Sequence, residues 1–264
     1  MLKVEHLHFS YGKHCVLEDI SMLAKPGEIT VVLGANGSGK STFMRAVARI
    51  NSFQGHVFYG DTDMCALPRE RFFQMLGYLD QNTNCAARFT VFELVLLGRL
   101  FNLGLKVTPE DEKKVSETLE FLKLSHLANR YVSELSGGQR QMAFVAQALV
   151  KDPQILLMDE PTSALDLQWQ FRLLTQLRDI TRTLSCTTII TLHHVALAAE
   201  YADNMVIFKD GRVYAHGTPK EVFTQRMLRD VYGVECEPFV DSHGVSHLVA
   251  LGPAATQSEH PNTT

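Results

Sequence analysis

Hydrophobic and polar positions alternate along "LKVEHLHFSY" (residues 2–11) until Tyr11-Gly12, so a strand with one covered face is expected there. A turn at "PGE" (26–28) leads into "ITVVLG", whose unbroken apolar character predicts a buried strand. Past a glycine-rich stretch the period lengthens, and Phe43, Met44 and Val47 fall on the apolar side of a helix over 41–50. "QGHVFYGDTD" reads as a strand and turn. From Thr90 to Leu149 the pattern is helical: "TVFELVLLGRL", then "TPEDEKKVSETLEFLKL", with Pro109 near a helix start and acids in its first turn. "QILLMDEP" is a short strand, "WQFRLLTQLRDITRTL" a helix, "TTIITL" (187–192) a β-branched strand and "VALAAEYAD" a helix. "NMVIFKDGRVYAHG" predicts a hairpin around Asp210-Gly211. The tail from about 253 is polar without a period, and disorder is expected there. Strands alternating with helices on either side of a helical block predict an α/β fold: a parallel core carrying an inserted helical lobe. There is no internal repeat.

Composition adds mainly exclusions. The 264 residues can bury a substantial core, and 45% hydrophobic and 20% charged residues are ordinary for a globular chain. No apolar run reaches the roughly 18 residues a spanning helix needs. The first residues, "MLKVEHLHFSYG", lack the apolar run and cleavage site of a secretory signal. A formal charge of -4 argues against wrapping nucleic acid, and no nucleic-acid partner is expected. The five cysteines, Cys15, Cys65, Cys85, Cys186 and Cys236, form no C-x-x-C pair, which reads as reduced thiols in a cytosolic protein.

The chemistry concentrates in two short stretches. Gly34-x-x-x-x-Gly39-Lys40-Ser41, between a strand and a helix, has the spacing of a phosphate-binding loop. Its glycines let backbone N–H groups approach phosphates, Lys40 reaches the β and γ phosphates, and Ser41 can ligate magnesium. "ILLMDE" brings Asp159 to a strand's end, where a carboxylate can hold the metal. Glu160 beside it can polarise an attacking water. A third stretch raises a question. "SELSGGQRQ" (133–141) places Ser136-Gly137-Gly138 ahead of another helix, so it too offers N–H groups to an anion. Read alone, it is an N-cap and a joint; one chain has no need of two phosphate sockets, but two chains arranged head to tail would use both.

With these motifs in order, the sequence resembles the ATP-binding subunits of ABC transporters over nearly its whole length. The resemblance implies a P-loop NTPase with a RecA-like parallel sheet core, an N-terminal antiparallel β subdomain and an inserted α-helical subdomain at about 86–152. A single ATP-binding domain would span 2–240, with a short extension at 241–264. It assigns Tyr11 to stacking on adenine, and Gly34, Asn36, Gly37, Gly39, Lys40, Ser41 and Thr42 to the phosphate loop. Gln81 in "LGYLDQN" matches a glutamine that contacts magnesium and links to the membrane subunit. Ser136, Gly137 and Gly138 belong to the signature, Asp166 in "SALD" to the dimer-contacting loop, and His193 in "ITLHH" to the switch histidine. His193 is preferred to His194 because the family's histidine precedes a position usually held by Asp. Three departures stand out: Asp80 for the proline usual before the glutamine, Ala35 for a proline in the phosphate loop, and Gln147 for an arginine.

"TVFELVLLGR" and "EVFTQRMLRDVYGVECEPFVDSHGVSHLV" look like the importers of iron–siderophore, haem and cobalamin complexes. About thirty residues follow Tyr232-Gly233, too few for an added regulatory domain. The resemblance implies ATP and magnesium as ligands, a homodimer, a permease dimer, a periplasmic or lipoprotein substrate-binding protein, and a peripheral place on the cytoplasmic face of the cell membrane. An importer of molybdate, zinc or manganese would look similar at this subunit. A soluble mechanical ATPase would show long coiled-coil insertions, duplicated cassettes or basic patches, and a non-catalytic binding module would lack Lys40 or Glu160.

Overall fold

A computed structural model of the chain describes residues 1–81, 88–101, 106–163, 165–240 and 246–254. β1 (Leu2–Tyr11) pairs antiparallel with β2 (His14–Ala24). The predicted apolar strand is β3 (Ile29–Gly34), buried along its length. The glycine loop then opens α1 (Lys40–Val47), which stops short of the expected residue 50. The cause is local: Arg49 takes a left-handed backbone (φ 56°) while its guanidinium donates to the Met64 and Leu67 carbonyls at 2.9 and 3.0 Å. β4 (Gln54–Tyr59) and β5 (Thr62–Asp63) complete a four-stranded antiparallel sheet, ordered β2-β1-β4-β5.

Two elements without a legible period follow, α2 (Arg69–Met75) and β6 (Leu76–Leu79); seven and four residues are too few to display one. The helical block holds α3 (Val91–Leu97), α4 (Pro109–Phe121) and α5 (Gly137–Leu149), with single 3-10 turns at Ser125–Leu127 and Val132–Glu134. Each of the three helices starts on a reciprocal capping box: Thr90 with Glu93, Thr108 with Asp111, and Ser136 with Gln139.

The chain then alternates through β7 (Ile155–Met158), α6 (Leu167–Leu184), β8 (Thr187–Thr191), α7 (Val195–Tyr201), β9 (Asn204–Lys209) and β10 (Arg212–Gly217). The main sheet runs β10-β9-β3-β8-β7-β6. Its strands are parallel except β10, which folds back on β9 through Asp210 and Gly211, both at positive φ (50° and 74°). Last come α8 (Pro219–Val222), α9 (Gln225–Tyr232) and a hairpin of β11 (Val234–Val240) with β12 (Ser246–Pro253). Pro253, read from sequence as the start of the tail, thus belongs to a strand. The Ala254 N–H closes the hairpin onto the Gly233 carbonyl at 2.7 Å.

Period-two alternation sorts the sheet's side chains into two cores. Ile29, Val31, Leu33, Leu156, Met158, Ile190 and Ile207 join the core under α5 and α6. Val32, Ile155, Leu157, Ile189, Val206 and Phe208 join the core shared with α1 and the antiparallel sheet. There Phe43 meets Phe208 edge to face at 5.3 Å, and burying such a ring contributes roughly 1.5–3 kcal/mol. This double support holds the carboxyl ends of β3, β7 and β8 side by side, where open α/β sheets present ligand sites. Among the described residues no helix is long and apolar enough to cross a membrane, and no cluster of side chains suited to a metal occurs apart from the carboxylates below. Cys15, Cys65, Cys186 and Cys236 are free thiols, and Cys85 lies outside the described residues.

Candidate active site

The loop after β3 wraps around its own lysine. Gly37 and Gly39 hold φ of 79° and 100°, and a Cβ on Gly39 would stand 2.6 Å from Leu17 Cδ2, so both conformation and space demand glycine there. Lys40, 6% exposed, donates to the Gly34 and Ala35 carbonyls at 2.7 and 3.1 Å. Burial lowers its pKa, against the opposing pull of Glu160 and Asp159. Around it opens a cavity of about 490 Å³ lined by Asn36, Gly37, Gly39, Lys40, Ser41 and Thr42 of the loop, Gln81, Glu160 and His193 from across the sheet, and His14 and Val16 of β2.

Asp159 and Glu160 follow β7 directly. Asp159 is fully buried; its Oδ1 accepts from the Thr191 hydroxyl at 2.7 Å, while its Oδ2 has no hydrogen-bond partner. Burial raises the Asp159 pKa, and the neighbouring Glu160 and Asp80 carboxylates push the same way, while the Thr191 and Ser41 hydroxyls oppose. A buried carboxylate oxygen without a donor, with the Ser41 hydroxyl close by, fits a hard divalent cation such as magnesium, held by oxygen ligands. Glu160 sits on a strained left-handed backbone (φ 49°), its N–H bonded to Thr191 Oγ1 at 2.7 Å. Both of its carboxylate oxygens are engaged: the Gln81 amide donates to Oε2 at 2.6 Å, and His193 Nε2 lies 2.6 Å from Oε1.

The structure therefore gathers the loop residues Asn36 to Thr42, Gln81, Asp159, Glu160 and His193 at one end of the sheet. Gly34 lies at the base of the loop, lending its carbonyl to Lys40. Tyr11 is exposed at the end of β1, edge-on to Phe9 at 4.7 Å, and outside the cavity lining; it pairs across the turn with His14, which does line it. Ser136, Gly137, Gly138 and Asp166 are not part of that lining either. Ser136 caps α5 and Asp166 caps α6, accepting from the Trp169 N–H at 2.9 Å, and both cap residues are exposed.

Five contributors escaped the sequence. His14 and Val16 reach the cavity because β2 passes over the loop. Thr191 joins Asp159 to the Glu160 backbone, and its only signal was its place two residues before His193. Tyr232 accepts a hydrogen bond from the Gly34 N–H at 3.0 Å across 198 positions, and burial raises its pKa to about 12. The Arg45 guanidinium reaches both Asp80 oxygens at 3.1 Å, giving the unusual acid before Gln81 a partner on α1.

Comparisons with known proteins agree with this geometry. The ABC transporter family model matches residues 17–163. A petrobactin import ATP-binding protein of Bacillus anthracis is 35% identical over 91% of this chain and 89% of its own length. The ferric enterobactin transport ATP-binding protein of Escherichia coli is 34% identical, covering 96% and 95%. Among solved structures, a metal-chelate type ABC transporter in an inward-facing conformation superposes with a TM-score of 0.83 at 27% identity, covering 95% of this chain and 97% of that one. A dimeric ATP-binding cassette in a post-hydrolysis state, bound to ADP and phosphate, gives 0.74 at 26% identity, covering 83% and 99%. Phosphate loop, paired acids, helical block and sheet order lead to one conclusion: the chain has the P-loop NTPase fold, hydrolyses ATP, and belongs to the ATP-binding subunits of ABC transporters.

Proposed function

We propose that this chain is the ATPase of an importer for a metal chelate of the siderophore or haem kind, working as a pair of identical subunits beneath a membrane permease. The cargo assignment draws on the petrobactin and ferric enterobactin relatives and on the metal-chelate type structure, which match nearly the full chain. The permease would dock on the helical lobe at the cytoplasmic face of the membrane, and a separate binding protein would deliver the cargo outside. Magnesium would be held by Ser41, Asp159 and Gln81, and would neutralise phosphate charge when bound.

The observation that carries the mechanism is that Glu160 stands between Gln81 and His193 in the lining of the Lys40 cavity. Lys40 leaves its own loop carbonyls for the β and γ phosphates of ATP, and the loop N–H groups take the remaining charge. Glu160 orients and polarises a water in line with the γ phosphate, and His193 holds Glu160 and that phosphate in register. Tyr11, one cross-strand step from His14, closes over the adenine. Ser136, Gly137 and Gly138 serve the triphosphate of the opposite subunit, with Asp166 at the contact between chains. ATP would thus close the pair and its hydrolysis reopen it, moving the permease between its two access states.

Glu160→Gln tests this. The amide keeps the shape but cannot accept a proton, so turnover should fall by about a hundredfold or more while ATP binding persists. Closed pairs should accumulate with ATP on size-exclusion chromatography; ordinary turnover in that variant would contradict the assignment.

A further inference from the structure

Trp169 joins two segments that the proposed mechanism assigns to different nucleotides. It is the third residue of α6, and its N–H is bonded to the Asp166 carboxylate at 2.9 Å. Its indole lies against the first turn of α5: a Cβ on Gly138 would stand 3.2–3.3 Å from the ring atoms Cγ, Cδ1 and Cδ2. An added methyl would sit tighter than ordinary van der Waals contact, so the ring lies over Gly138 with less than a methyl group's room between them. The Arg172 guanidinium lies over the same indole, 4.8 Å from the ring centroid. One residue further on, the buried Gln170 amide donates to the Thr162 and Leu165 carbonyls at 3.3 and 3.0 Å. The segment leaving Glu160 is therefore tied to the first turn of α6, and that turn is tied through one aromatic ring to the Ser136 turn.

We propose that Trp169 is a positioning residue that holds the Ser136 turn in fixed relation to the Glu160–Asp166 segment, so that each subunit's hydrolytic centre is coupled to the opposite subunit's nucleotide. The inference rests on the two-chain site described above. Glu160 acts on the subunit's own ATP, whereas Ser136 and Gly138 meet the partner's. A ring wedged between the two N-termini transmits a displacement of either one to the other. A polar or small side chain at 169 would leave both segments correctly folded but free to move independently.

The test uses the full-length chain. Trp169→Ala should leave ATP affinity, measured by equilibrium binding to the single chain, within about twofold, and lower kcat by about tenfold, with KM nearly unchanged. Trp169→Phe, which keeps a ring against Gly138, should recover at least about half of the wild-type rate. Because the sequence holds a single tryptophan, its emission reports on this junction alone. In the Glu160→Gln chain, ATP with magnesium should shift that emission to the blue as the half-buried indole is covered, and adding Ser136→Arg should abolish the shift. Wild-type turnover in Trp169→Ala, while Ser136→Arg is inactive, overturns the positioning role and leaves the two-chain site standing. Normal hydrolysis by Ser136→Arg overturns both. If Trp169→Ala does not fold, the emission decides: an unchanged spectrum with ATP and magnesium overturns the inference.

Discussion

Burial works against the charge on Asp159. A buried acid with a raised pKa favours its protonated form in the folded chain, so its contribution to stability falls as pH rises from the ordinary carboxylate range through the raised value. Asp159→Asn keeps an oxygen for the Thr191 hydroxyl and removes the charge. The variant should melt above the wild type at pH 7, and the gap should close as pH falls below about 4, where both states of the wild-type acid are protonated. Circular-dichroism melts across pH measure the first effect, and phosphate release measures the second, loss of magnesium-dependent hydrolysis. Stability given up at a buried charge is expected where that charge must later meet a cation.

At the scale of elements, the connection between α1 and β6 carries the next prediction. Arg45 on α1 grips Asp80 at the end of β6, and the next residue, Gln81, reaches Glu160. Both partners are partly exposed, so the pair adds little to stability, about 0–1 kcal/mol. Its effect should lie in rate: Asp80→Ala and Arg45→Ala should each lower kcat by about threefold to tenfold with ATP affinity nearly kept, and the double variant should lose no more than either alone. A double-mutant cycle on steady-state hydrolysis reads this directly. Such links explain what could and could not be read from the chain. The Gly34–Ser41 loop, the Asp159-Glu160 pair and the Ser136 turn were legible because their chemistry is written in consecutive residues. The helix start at Pro109 and the Asp210-Gly211 hairpin were legible for the same reason. Tyr232 on Gly34 and Thr191 between the two acids were not, because each depends on strands brought together from far apart. Nor were α2 and β6, which are too short to repeat a pattern.

At the scale of the whole molecule, the cavity of one chain holds Lys40, Glu160 and His193, while its exposed Ser136 turn starts α5 away from that lining. If two copies complete each centre, activity per chain depends on how often copies meet. Below the concentration at which pairs form, specific ATPase activity should fall about tenfold for each tenfold dilution, because rate then scales with the square of chain concentration. A dilution series of phosphate release, read beside light scattering, checks this. A flat specific activity across dilutions where only single chains are present would remove the need for a second copy.

The double engagement of Glu160 has one more consequence. With an amide on one oxygen and an imidazole on the other, the carboxylate proposed to recruit water is fixed in place and keeps lone pairs with which to accept from that water. Gln81 precedes the helical lobe in the chain, so a shift of that lobe would move the amide and change the aim of the carboxylate. On the proposed mechanism, the consumption of fuel answers to whatever presses on the lobe from outside. A loaded transporter overhead, rather than the supply of nucleotide, would then set the pace.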